Sequence, residues 1–146
     1  MGISISCKKT ARTIDMGAGG FWNLRKKVSD LVGGEWAEHY RHLDEIERDY
    51  YFDSDARHRA YVEFDAETLR LVAEKKVSAK IVDFLLQSNC GGSIRYGACK
   101  QILKVVEDYD DNICYGYAGR KDCAMFRDFK AILRDCVDTK TDMIWD

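Results

Sequence analysis

Apolar and polar positions alternate at the start of the chain. Ile3, Ile5 and Cys7 are separated by Ser4 and Ser6, and after a polar stretch from Lys8 to Arg12 the alternation resumes with Ile14 and Met16. A period of two is that of a half-buried strand, so this segment predicts a β-hairpin with a basic turn. Gly17-Ala18-Gly19-Gly20 stops it. From Phe21 the period lengthens: Phe21, Leu24, Val28, Leu31 and Val32 fall at helical spacing, and Gly33-Gly34 ends the run. Trp36, Tyr40, Leu43 and Ile46 mark a second helix with an acidic outer face. Asp53-Ser54-Asp55 can cap a third, Ala56 to about Lys76, with Tyr61, Phe64, Leu69 and Val72 as its core positions.

Ser78 is placed to cap a short fourth helix rich in Ile81, Val82, Leu85 and Leu86, broken by Asn89-Cys90-Gly91-Gly92. Ser93 opens a further helical run through Tyr96, Cys99, Leu103 and Val106. Ile113 to Tyr117 reads as a strand or an extended loop. Asp122 is placed to cap a last helix bearing Met125, Phe126, Phe129, Ile132, Leu133 and Cys136. Met143-Ile144-Trp145 fits a strand beside the N-terminal hairpin. The pattern as a whole predicts a mainly helical α+β fold: five or six helices packed on a small antiparallel sheet made of the N-terminal β-hairpin and the C-terminal strand.

Composition sharpens this picture. The chain has 146 residues, 46% hydrophobic and 33% charged, which suits one globular domain over residues 1–146. Proline is absent, so turns rest on Gly, Asp and Asn, and no proline-rich linker divides the chain. No apolar run approaches the roughly 18 residues that span a bilayer, and the first residues do not read as a secretory signal. The cysteines at 7, 90, 99, 114, 123 and 136 form no Cys-x-x-Cys pair. Cys99, Cys123 and Cys136 fall within helical patterns, so structural thiols in a reducing cytoplasm are expected. The net charge of −2 gives no bias toward nucleic acid, but its distribution is uneven. Residues 1–27 carry six basic side chains against Asp15, whereas residues 28–70 carry twelve acids against five bases.

Two segments have the chemistry to hold a phosphorylated aromatic ligand. In the first, Gly19 and Gly20 permit close backbone approach, the following helix start offers N–H groups to phosphate, Trp22 offers a stacking face and Arg25 a forked donor. It is neither Gly-x-Gly-x-x-Gly nor a Walker loop. The second, Tyr115-Gly116-Tyr117-Ala118-Gly119-Arg120-Lys121, repeats the ingredients before another helix. A third element, from Gly91 to Gly97, places Arg95 and Tyr96 at a helix start. The plainer reading of each is a turn whose glycines fit and whose bases are solvated.

Catalytic motifs are sparse. His39 and His42 share a helix face with carboxylates nearby, but His-x-x-His on an acidic helix reads as surface decoration, and no metal or other cofactor is expected. No nucleophile elbow is present and no cysteine has an evident histidine partner, so a non-enzymatic role is favoured over an enzyme.

Ile5-Ser6-Cys7-Lys8-Lys9-Thr10, Ile14-Asp15-Met16-Gly17-x-Gly19-Gly20-Phe21, Tyr96-Gly97-Ala98-Cys99-Lys100 and Tyr115-Gly116-Tyr117-x-Gly119-Arg120-x-Asp122 together resemble small proteins carried by phages and mobile elements of Gram-positive bacteria. The resemblance implies an anti-defence factor acting in the host cytoplasm, which binds a host immune protein or sequesters its nucleotide signal. The leading expectation is therefore a sponge for a small phosphorylated nucleotide, as a possible homo-oligomer. Its ligand-binding residues would be Gly19, Gly20, Trp22, Arg25, Arg95, Tyr96, Tyr115, Tyr117, Arg120 and Lys121. The alternative is an inhibitor of a host defence protein that docks through the acidic 35–67 segment.

Overall fold

The computed structural model describes residues 2–117 and 124–146. Their order is β1 (Gly2–Cys7), β2 (Thr13–Gly17), α1 (Ala18–Val32), α2 (Gly34–Asp49), α3 (Ser54–Ala73), α4 (Ala79–Leu86), β3 (Gly92–Ile94), α5 (Tyr96–Val106), α6 (Phe126–Thr139) and β4 (Met143–Trp145). The class is mainly helical α+β with an antiparallel sheet, as the patterning predicts. The chain forms two compact units, Met1–Val28 with Lys80–Asp146, and Ser29–Ala79.

The first unit is built on the sheet, whose strand order is β2-β1-β4-β3. Ile5 lies opposite Ile14 on one side and Trp145 on the other, so the apolar members of three strands share one face. Ile3, Ile5, Cys7, Ile14, Met16, Met143 and Trp145 are all buried there. Helix α6 packs on that sheet and against α5, burying Phe129, Ile132, Leu133 and Cys136. Phe21, Phe84 and Trp145 form an aromatic cluster with ring centroids 5.7 to 6.2 Å apart. Burying each such ring contributes roughly 1.5–3 kcal/mol. Cys99 and Cys136 are sealed between helices; the neighbouring Cys99 and burial both push the Cys136 thiol up, as suits a packing residue.

In the first unit two local readings change. The Ser93 helix start is incorrect: Gly92–Ile94 is a strand paired with β4, and α5 begins at Tyr96. A three-residue edge strand is too short to show alternation. Nor is Gly17–Gly20 a loop, since β2 runs directly into α1 and Ala18, Gly19 and Gly20 are helical.

The second unit is a helical hairpin with the end of α1. Gly33, at φ 75°, reverses the chain between α1 and α2, a conformation that favours glycine. Asp53 caps α3 by accepting from the Ala56 N–H at 3.0 Å. Trp36, His39, Tyr40, Leu43 and Ile46 form the buried face of α2, and Phe64, Thr68 and Leu71 that of α3. Leu69, expected in the core, is 71% exposed. His39 is likewise not surface decoration: its ring stacks on Phe64 at 4.0 Å, and its Nε2 meets Thr68 Oγ1 at 2.8 Å. Among the described residues no helix is long and apolar enough to cross a membrane.

Candidate functional site

The residues expected around the first glycine segment divide by burial. A Cβ on Gly20 would collide with the Tyr115 carbonyl oxygen, so this glycine serves close packing of α1 against the 115 segment. Gly19 faces open space, and Trp22 is half-buried with the Lys26 ammonium 5.8 Å from its ring. Arg25 is only 2% exposed. Its guanidinium lies 4.2 Å from the Phe21 ring centre, and its Nη1 donates to Gln87 O and Asn89 Oδ1, both at 2.8 Å. Arg25 thus holds the turn after α4 rather than presenting a fork to solvent. Phe21, Leu24, Arg25 and Val28 occupy i, i+3, i+4 and i+7, so the helical period already put Arg25 on the core face.

Tyr115 is also buried, tilted against Phe126, with its N–H donating to Ala124 O at 3.0 Å. Tyr117 is 40% exposed and lies over Gly2 and Gly17. Arg120 and Lys121 lie outside the described residues.

Arg95 and Tyr96, from the third element, have a different setting. They line an open cleft of ≈ 570 Å³ with Lys80 and Asp83 of α4, Gly97 and Ala98 of α5, and Lys140 and Asp142 beyond α6. Arg95 is the N-cap of α5; its carbonyl accepts from Ala98 N at 3.0 Å and Cys99 N at 3.1 Å, and no side chain caps the helix. Of the first turn, the Tyr96 and Gly97 N–H groups are therefore left to solvent or a ligand. A Cβ on Gly97 would come within 3.0 Å of Lys80 Nζ, so glycine leaves room for that ammonium over the helix start. Lys140 enters from the left-handed C-cap of α6, at φ 53°. Tyr96, 43% exposed, adds an aromatic face.

Three cations thus converge on the end of α5 that already carries positive dipole charge, an arrangement that an anion relieves. Lys80 and Lys140 escaped the sequence reading because neither sits in a glycine-rich segment; tertiary structure alone brings them to Arg95. The cleft does not bring in Gly19, Gly20, Trp22, Arg25, Tyr115 or Tyr117.

Among the described residues no three His, Cys, Asp or Glu side chains are grouped to hold a metal ion. The acids of the 35–67 segment line α2 and α3, whose connecting turn exposes Tyr51 and Phe52, the latter 98% exposed. No family model matches the chain, and no curated protein or solved structure matches it either.

Proposed function

We propose that the protein is a non-enzymatic binder that sequesters a small phosphorylated nucleotide in the Lys80–Arg95–Tyr96–Lys140 cleft. The observation that carries this reading is the convergence of three cations on the uncapped start of α5 within one cleft. Phosphate oxygens would accept from Lys80, Arg95, Lys140 and the N–H groups of Tyr96 and Gly97 at the start of α5. Tyr96 would stack on the base. Asp83 and Asp142, at the same cleft, would accept from ribose hydroxyls or an amino group of the base, which suits a nucleotide better than bare phosphate. The resemblance to mobile-element proteins supplies the context, removal of an immune signal in a host cell.

Native mass spectra of the protein mixed with linear and cyclic nucleotides test this reading. The expected result is a discrete added mass, with affinity lowered about tenfold by each of Arg95→Ala and Lys140→Ala. Apo spectra across the panel, or affinity indifferent to both substitutions, would remove the proposal, and release of a product of altered mass would make the protein an enzyme.

A second reading rests on the exposed Tyr51 and Phe52 at the tip of two acidic helices, a pairing suited to a basic protein surface with an apolar pocket. It requires capture of a host protein that is lost on Phe52→Ser and weakened by salt.

A further inference from the structure

The three walls of the cleft at the start of α5 are not alike in charge. The α5 wall presents Arg95, the Tyr96 ring and the uncapped Tyr96 and Gly97 N–H groups, and no acid. The α4 wall carries Lys80 and, one helical turn on, Asp83, about 4.5 Å further at a rise of ~1.5 Å per residue. The wall beyond α6 carries Lys140 and, two residues on, Asp142. Both acids have anchored main chains: Asp83 O accepts from Gln87 N at 3.2 Å, and Asp142 O from Lys8 N at 3.1 Å. Among the described residues these five charged side chains form no ion pair with one another, so the acids do not cancel the bases by contact.

The donors, by contrast, gather at one point. Lys80 Nζ lies 3.0 Å from where a Cβ on Gly97 would stand, which puts the ammonium beside the free N–H groups of the helix start. Three bases and two acids leave the cleft an excess of one positive charge, and the α5 macrodipole adds about half an elementary charge. A phosphate monoester, at about 1.5 to 2 negative charges near neutral pH, closes that balance. A chain of two or three phosphates does not. Its further charge would run toward Asp83 or Asp142, which stand on two of the three walls, and like-charge juxtaposition of this kind rejects a ligand.

We infer, on the footing of the nucleotide-binding reading, that this cleft selects a nucleotide with a single phosphate group and rejects chains of two or three phosphates through Asp83 and Asp142. The phosphate is seated at the start of α5 between Lys80, Arg95 and Lys140. The two acids are left facing the hydroxyl and amino groups of the nucleoside, which carry no negative charge.

The test is calorimetric titration of the whole protein with the four ribonucleoside monophosphates, their cyclic forms and their triphosphates, in EDTA so that no metal ion shields the longer chains. At least one single-phosphate nucleotide is expected to bind tenfold or more tighter than its triphosphate. Asp83→Asn/Asp142→Asn should narrow that ratio about tenfold by raising triphosphate affinity. Asp108→Asn, the same charge change past the far end of α5, should leave it as it is. Asp83 is exposed and Asp142 half-buried; the single substitutions, each narrowing the ratio in part, serve if the double variant does not fold. Triphosphates bound as tightly as their monophosphates, with binding lost in Lys140→Ala, would overturn the selection and keep the nucleotide site. A ratio indifferent to the cleft acids, or moved equally by Asp108→Asn, would overturn it as well. Silence of every single-phosphate nucleotide also overturns it, and if triphosphates and dinucleotides are silent too, the nucleotide-binding reading falls with it.

Discussion

Replacing Arg25 with Met separates a fold-holding cation from a ligand-holding one. The substitution keeps the length and apolar character of the side chain but removes the charge. It forfeits two hydrogen bonds from a charged donor, each worth about 1.5–3 kcal/mol, and leaves the Gln87 carbonyl and the Asn89 side chain without that donor. It also loses the cation–π contact with Phe21, about 2 kcal/mol when desolvated. Part of this is returned because the folded state no longer desolvates a guanidinium. The net expectation is a loss of about 2–4 kcal/mol, or a fall in Tm of roughly 5–15 °C for a chain of this size. Urea unfolding followed by circular dichroism reads it directly, as a lower midpoint with an unchanged slope. Were Arg25 a phosphate ligand instead, Arg25→Met would leave the midpoint in place and abolish nucleotide binding. That result would refute the structural assignment.

Lys130 is the parallel case: its 2% exposed side chain donates to Glu107 O, Tyr109 O and Asp111 Oδ1, so Lys130→Met should lower the unfolding free energy by about 2–4 kcal/mol in a thermal melt. Gly20→Ala pushes a methyl group into the Tyr115 carbonyl and should cost about 1–3 kcal/mol, read by the same denaturation, whereas Gly19→Ala, with open space around it, should be neutral or stabilising. Burial, opposed by Glu67, holds His39 below its ordinary value of 6.5, so the unfolded chain takes the proton first. Stability from this group is complete above pH 6.5 and is lost as pH falls through and below that value. His39→Gln should flatten that part of the pH–stability curve, and an unchanged slope would refute the assignment.

Much of the fold was legible because period and burial coincide. Ile3, Ile5, Cys7, Ile14 and Met16 alternate and are buried in register, and the run from Phe126 to Cys136 puts its apolar members on one helix face. Where local preference and tertiary packing disagreed, packing won. Gly19 and Gly20 are poor helix formers, yet they open α1, because only glycine allows the backbone at position 20 to meet Tyr115. His39 sat at i+3 from Trp36, on the apolar stripe, but the acidic composition around it suggested a solvated helix. The candidate cleft was half legible: Arg95 and Tyr96 announced themselves at a helix start, and Lys80 and Lys140 could not, since their meeting depends on where α4 and α6 end up beside α5.

The cations of the first unit sort by which end of a helix they approach. Arg25 reaches the carbonyl just past the C-terminus of α4, and Lys130 reaches the Glu107 carbonyl that caps α5. Both sit where helix dipoles favour positive charge and where carbonyls lack intrahelical partners, which explains why burial of each is tolerated. Lys80 and Arg95 do the opposite, gathering with Lys140 at the N-terminal end of α5, where the dipole repels them. Asp83 and Asp142 line the same cleft and offset two of the three charges. Each of these cations is on the surface, and the proposed function gives their excess charge a role: the phosphate of a bound ligand would lie between them. The same criterion sets Arg25 aside as a ligand residue despite its place in a glycine-, aromatic- and base-rich segment: its charge is already spent where the fold needs it.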